Sequence, residues 1–322
     1  MQPASTFRMA ALALLWGSGF LWIKLALDHG LSPAQITLTR CALGTLVLLA
    51  LARAKGQRLP RDRRTWGRLA VAALFCNAVP FALFSVGEQT VDSGLAGVLN
   101  ATTPLWSLLI GIALGTDRDL GRARLAGLIL GFAGTVLIFA PWQRSGLASW
   151  GALALLAAAA SYAVAFAYMA RKLTTGQAPL AVSAAQLMAA TAWTTLALPA
   201  AGPVHPDLTA LLAVTALGVL ATGATFYLNY RLIADEGATS AATVGYLLPV
   251  VSVSLGAVLL DERVGLRVVT GMAVVLVGVA LTRHRSGDMS FRGAGPSPVR
   301  LRRAGAPSPH APAAKKQPAQ AP

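Results

Sequence analysis

The sequence predicts an all-α integral membrane protein of ten transmembrane helices, arranged as two inverted five-helix repeats. Three observations carry that reading. Apolar residues make up 55% of the 322 residues and charged residues only 12%, about half the charged share of an ordinary soluble domain. Mean hydropathy is +0.61. Lys and Arg total 27 against 12 Asp and Glu, a net charge of +15, yet these bases sit in short breaks between long apolar runs. A basic excess can mark a nucleic-acid binder; bases placed between apolar runs argue for a bilayer instead, with no nucleic-acid partner.

A spanning helix needs about 20 mostly apolar residues. Runs of that kind cover 8–27, 33–52, 65–87, 93–115 and 122–140, then 150–170, 180–199, 207–230, 238–260 and 264–282. The seventh is the most dilute, carrying Gln186, Thr191, Thr194 and Thr195. Open strands leave backbone groups unsatisfied in lipid, so helix is the state expected, and the alternating polarity of a barrel strand is missing. The first run has no clear small-residue cleavage site after it, so it is read as a retained helix. Residues 284–322 hold seven prolines, seven Lys or Arg and one Asp, too little apolar surface to offset ordering entropy; a disordered basic cytoplasmic tail is expected. Cys41 and Cys76 both fall inside runs, which offers neither a disulfide framework nor a zinc site.

Basic residues favour cytoplasmic loops. With the N-terminus inside, 22 of the 27 Lys and Arg face the cytoplasm and three (Arg144, Arg263 and Arg267) face outward. Lys24 and Arg40 lie within spans. Both termini are therefore expected inside, which requires an even number of spans.

The two halves resemble each other. LNATTPLWSLLIGIALG surrounds Pro104, and VGYLLPVVSVSLGAVLL surrounds Pro249. Each is followed by a charged break and a Gly-spaced helix, with Gly127 and Gly134 matching Gly271 and Gly278. The offset of about 145 residues equals five spans, and an odd number per repeat inserts the halves in opposite directions. The organisation expected is 1–145 and 146–283 as the repeats, and 284–322 as the tail. Pro104 and Pro249 at matching depths, with Pro80 in the third span, read either as gating flex points or as static helix shape.

These pieces carry a family resemblance. LLWGSGFLWIKLAL (14–27), Arg40 early in the second span, GLAGVLNATTPLWSLL (94–109), LPVVSVSLGAVLLDE (248–262) and GMAVVLVGVAL (271–281) resemble the drug/metabolite transporter superfamily, in its tandem EamA-domain form. One departure is the acidic residue that follows the fourth span in that family. The second half keeps it as Asp261–Glu262, while the first half reads Thr116–Asp117. The resemblance implies a ten-helix carrier of small metabolites in the cell (inner) membrane, with amino-acid export a common activity.

Ionisable residues inside a span are costly and are functional candidates. Arg40, about seven residues into its helix, suits a substrate carboxylate or phosphate because its fork binds such groups in two places. Lys24 either assists or snorkels to the interface. No carboxylate stands at mid-span, which argues against an exporter of lipophilic cations. Glu88, Asp28 and Asp92 lie at the outer ends, and Glu88 is the candidate for proton coupling. Trp16, Ser18, Asn77, Asn100, Thr103, Trp106, Tyr162, Gln186, Asn229 and Tyr246 are candidate pocket residues or helix-to-helix hydrogen bonders. Asn100 and Thr103, beside Pro104, and Tyr246, beside Pro249, lead that set.

No H-E-x-x-H, Walker A or G-x-S-x-G motif occurs, so neither an enzyme nor a cofactor is expected. The reading is a secondary transporter that exports a small metabolite, an amino acid or related zwitterion or anion, across the cell membrane by alternating access. The alternatives are a carrier of phosphorylated or nucleotide-sugar substrates, and a membrane-embedded sensor or enzyme.

Overall fold

Each regular segment of the chain follows from its apolar runs and their punctuation. The computed structural model describes residues 3–115, 122–139, 150–173, 178–200 and 206–283. The expectations for Thr116–Asp117, Arg144 and the tail 284–322 lie outside the described residues. Among the described residues there is no strand.

Helix α1 (Pro3–Asp28) leads by a short turn into α2 (Pro33–Ala54). A capping box starts α2: the Ser32 hydroxyl accepts from the Gln35 N–H, and the Gln35 side chain accepts from the Ser32 N–H. Pro33 follows at the one turn that needs no donor. Asp62 caps α3 (Arg63–Ala73) by accepting from the N–H groups of Arg64 and Thr65.

A π turn at Leu74–Ala78 joins α3 to α4 (Val79–Gly87), making one span of the two. Pro80 sits just past that turn and has no N–H to return to the chain behind it. The Ser161 hydroxyl takes up one loosened carbonyl, donating to Phe75 O at 2.8 Å.

The fourth span is broken rather than bent. Helix α5 (Ser93–Asn100) ends at Ala101–Thr102, and α6 (Thr103–Ala113) restarts with Pro104 in its first turn. Pro249 likewise lies in the first turn of α12 (Leu248–Leu259), after a single 3-10 turn at Val244–Tyr246. Both prolines begin helices, where a missing donor costs little, instead of kinking continuous ones.

Helices α7 (Arg122–Phe139), α8 (Trp150–Lys172) and α9 (Pro179–Thr195) follow, then α10 (Leu208–Gly218), a second π turn at Val219–Ala224, and α11 (Thr225–Thr243). Helix α13 (Leu266–Arg283) closes the described chain. The break expected between the eighth and ninth runs, at 231–237, is helical. That stretch is rich in helix formers, and its one glycine is too little to stop the helix.

Six helical stretches are long and apolar enough to cross a membrane: 6–28, 33–54, 63–87, 93–113, 150–172 and 208–233. Three shorter apolar helices lie at 125–138, 248–259 and 266–281. Many large apolar side chains point outward, among them Leu46, Ile129, Leu212 and Val258, the surface expected of a protein dissolved in lipid. Internally, α1 packs on α10 and α12, α8 on α4 and α6, α2 on α9, α5 on α12, and α7 on α13. In the α7–α13 seam a Cβ added to Gly278 would stand 2.5 Å from the Gly131 nitrogen, and one on Gly134 would stand 2.8 Å from the Val275 nitrogen. The two helices meet backbone to backbone, which only small residues permit.

An ion pair and a hydrogen bond tie the α1 segment to the α10–α11 span at opposite ends. Arg8 pairs with Asp235, which Arg231 also approaches, and His29 Nδ1 lies 2.6 Å from Asp207 Oδ2. Asp207 also caps α10, accepting from the Ala210 N–H.

Candidate functional site

The two π turns sit 145 residues apart and each points a buried polar side chain inward. From the first, Asn77 Oδ1 accepts from Gln186 Nε2 of α9 at 2.7 Å. From the second, Thr222 Oγ1 accepts from Arg40 Nε of α2 at 2.9 Å. Between these pairs, Thr45 of α2 and Thr191 of α9 lie 3.3 Å apart, Oγ1 to Oγ1. Gln186 and Thr191 of the seventh run thus bind partners on other helices, while Thr194 and Thr195 donate to Thr191 O within their own, which offsets the cost of these polar groups in a membrane.

Arg40 is the centre of this layer. Its side chain is buried, and its guanidinium carbon lies 3.7 Å from the centroid of the Phe81 ring. The ring face satisfies one side of the cation, and Nε is spent on Thr222. No carboxylate lies within 4 Å of the guanidinium among the described residues. Its terminal nitrogens donate to no described group, so the half of the fork that would grip a carboxylate is uncommitted.

Glu88 is the second unusual group. The sequence places it at the outer end of the third run, and the structure buries it completely. Neither carboxyl oxygen accepts a hydrogen bond. Its backbone carbonyl accepts from Lys24 Nζ at 2.9 Å, so Lys24 is tied inward rather than snorkelling; Asp28 stands 4.0 Å from the same ammonium. Glu88 follows the last residue of the third span. Burial pushes its carboxyl well above the usual carboxylate range, while Lys24, Glu262, Arg40 and Asp28 act on it through space, the two cations opposing the shift.

The other expected residues divide between this centre and its periphery. Tyr162 packs between Phe84 and Phe166 and against the cluster that holds Cys41 and Phe81. Asn77 is fully buried, with Nδ2 unpartnered. Asn100 Oδ1 and Trp106 Nε1 are also buried without partners, and Trp106 meets Phe132 edge-on. The Thr103 hydroxyl donates to Asn100 O across the helix break. Trp16 packs with Leu12, Ala13, Leu232 and Val244, a cluster apart from the one around Cys41 and Phe81. Ser18 accepts from the Trp22 indole, and Asn229 is half-buried on α11. Tyr246 ends its 3-10 turn, and its side chain lies outside the described ones.

Cavities of about 380 Å³ beside Asp92, Glu262 and Arg267, and about 290 Å³ beside Ser107, Phe166 and Arg171, lie away from Arg40. Arg40, Asn77 and Glu88 are all buried and line neither cavity.

Sequence reasoning missed Thr222 and the role of Glu262. The repeat could have found Thr222, which lies 145 residues after Asn77. Glu262 reaches back to α5 and accepts from the N–H groups of Ser93 (2.7 Å) and Gly94 (2.9 Å). The acid after α12 therefore caps a helix from the other half of the chain. Asp261 takes a left-handed conformation (φ 53°) in the turn that aims it.

A bundle of apolar helices around a buried, incompletely paired cation has the makings of a membrane solute carrier. Family comparison agrees: the EamA-like transporter family matches at residues 6–140 and again at 149–283, and the chain belongs to that family. Among its relatives is the uncharacterized inner membrane transporter YedA of Escherichia coli K12, 28% identical over 84% of this chain and 88% of that one. The uncharacterized transporter YvbV of Bacillus subtilis is 25% identical over 86% and 91%. A probable terminal-alkyne amino-acid exporter of Streptantibioticus cattleyicolor is 28% identical over 84% and 90%. One solved structure superposes with a TM-score of 0.61 at 23% identity, covering 87% of this chain and 96% of its own; that likeness concerns the fold.

Proposed function

We propose that this transporter exports an amino acid or a similar small carboxylate-bearing metabolite across the cell membrane by alternating access, with Arg40 receiving the carboxylate. The observation that carries the reading is a buried guanidinium whose terminal nitrogens meet no acid within reach. A charged group held out of water without a counter-ion is costly, and a substrate carboxylate would relieve that cost during each cycle. The relative named as an amino-acid exporter supports the same substrate class.

The carrier has ten spans in two inverted halves, 1–145 and 146–283, with both termini and the tail 284–322 in the cytoplasm. Support comes from the pairing of helices. Exchanging the halves turns the first span on the eighth and ninth (α1 on α10, α11 and α12) into the sixth on the third and fourth (α8 on α3, α4 and α6), while the second on the seventh, the fourth on the ninth and the fifth on the tenth (α2 on α9, α5 on α12, α7 on α13) map onto themselves. The same exchange relates Arg40–Thr222 to Gln186–Asn77 and places Thr45–Thr191 on the axis. Substrate sites of inverted-repeat carriers lie at such an axis. Lys24, Tyr162, Asn77, Asn100, Thr103, Trp106, Trp16 and Tyr246 complete the substrate path, and the helix breaks at Pro104 and Pro249, with the π turn before Pro80, are the flexible points.

The test is flux. Proteoliposomes holding the full chain should exchange radiolabelled neutral amino acids, and Arg40→Gln should weaken apparent affinity about tenfold to a hundredfold. That range corresponds to a charge-assisted hydrogen bond of about 1.5–3 kcal/mol. Unchanged affinity in the variant would make Arg40 structural, and absence of flux across a broad metabolite panel would remove the carrier reading.

A further inference from the structure

We propose that a groove between α6 and α8 holds one anionic phospholipid, with an acyl chain laid along the groove and the headgroup phosphate on Arg171. The proposal depends neither on the transported solute nor on Arg40.

The groove has a volume of about 290 Å³ and is lined by Gly111 of α6 and by Ala163, Phe166, Ala167, Ala170 and Arg171 of α8, among others. Spacings of three and four put the α8 residues on one face of that helix, so the groove runs along the helix axis rather than across it. Four of these residues are Gly or Ala. Their missing side-chain volume is what leaves space where the two helices lie side by side. Phe166 is exposed, which opens the groove outward, where lipid is the solvent of a spanning helix.

Arg171 is the one charged residue of the lining. It stands in the last turn of α8, next to Lys172. A base at a helix C-terminus ordinarily serves the orphan carbonyls there. Here Arg68 of α3 does so, donating Nη1 to Lys172 O at 3.0 Å. Among the described residues no carboxylate pairs with Arg171. A cation therefore ends an apolar channel, with two more bases beside it. An amphiphile with an anionic head and a hydrocarbon tail has the complementary layout, and a guanidinium binds phosphate oxygens in two places.

The lengths agree as well. From Ala163 to Arg171 the helix rises about 12 Å, while one leaflet supplies about half of a hydrocarbon core about 30 Å thick. The groove thus spans most of one leaflet and ends where headgroups begin. In the orientation proposed above that leaflet is the cytoplasmic one, the side that attracts bases to anionic lipid. The larger cavity offers no such match: Asp92 and Glu262 line it together with Arg263 and Arg267, and the two acids would repel an anionic head.

The test uses the full-length protein, delipidated in a neutral detergent, with the thermal midpoint followed as lipid is titrated. Phosphatidylglycerol should raise the midpoint saturably. Phosphatidylethanolamine with the same chains, which has no net charge, should bind about fivefold or more weakly. Inorganic phosphate, which has no chain, should leave the midpoint unchanged. Arg171→Gln should weaken phosphatidylglycerol to the level of phosphatidylethanolamine, and Arg171→Lys should keep most of the preference. Ala167→Leu, which fills the groove, should weaken both lipids. Arg58→Gln removes an exposed base of the loop before α3, outside the groove, and should change neither. Equal affinity of the unmodified protein for the two lipids would overturn the proposal without recourse to any variant. Stabilisation by phosphate alone would overturn it too. So would equal losses from Arg58→Gln and Arg171→Gln, the mark of a diffuse basic surface rather than a site.

Discussion

Glu262 shows how much one side chain can contribute far from where its sequence neighbours lie. It is the second residue of the acidic pair that follows α12, and it closes the N-terminus of α5 by accepting two backbone N–H groups. Asp92, the residue preceding α5, makes no such bond, so without Glu262 the N–H groups of Ser93 and Gly94 would lose their acceptor. Removing a capping acceptor costs about 0.5–2 kcal/mol. Glu262→Ala should therefore lower the thermal midpoint of the purified protein, with Glu262→Gln recovering part of the loss because its amide oxygen can still accept. An unchanged midpoint for Glu262→Ala would show that solvent or another acceptor replaces it. The sequence flags the acid as a recurring feature after the fourth and ninth runs; its partner, about 170 residues away, is invisible until the chain is folded.

Helices interrupted in the middle are the second theme. The helical stretches 63–87 and 208–233 carry π turns, and 93–113 carries a full break. Each interruption exposes polar atoms or turns a polar side chain inward, which an unbroken helix would not do. The uninterrupted α7 and α13 behave differently and serve as a close-packed seam. Gly278 stands against the backbone of Gly127 and Gly131, nearer than any side chain would permit. Gly278→Leu should separate the two helices and cost about 1–3 kcal/mol or more, read as a lower midpoint and reduced yield of folded protein. A substitution at Gly67, where a Cβ would meet nothing within 4 Å, is the control expected to leave both unchanged. The Gly spacing is readable in the sequence as a small-residue stripe, but which helix it would face is not.

At the scale of the molecule, the uneven distribution of basic residues predicts an orientation with both termini in the cytoplasm. A cysteine placed at Arg61, in a Cys41→Ala, Cys76→Ala background, should react with an impermeant thiol reagent only when the cytoplasmic face is open. Labelling from outside in intact cells would reverse the topology and with it the direction of transport. Burial has a further consequence: Cys41 and Cys76 are buried and free, so neither should react in intact protein unless the bundle opens.

The sequence by itself determined that the chain is helical, that it belongs in lipid, and that two charges stand where a bilayer disfavours them. These follow from composition and local pattern, since hydropathy and proline or glycine placement act within one helix. Tertiary structure alone decided that Arg40 meets Thr222 and Phe81, that Glu88 at the end of the third span is fully buried, and that Glu262 caps a distant helix. Such contacts depend on how helices from opposite ends of the chain are brought together, and apolar surfaces that attract every neighbour alike do not specify that from sequence.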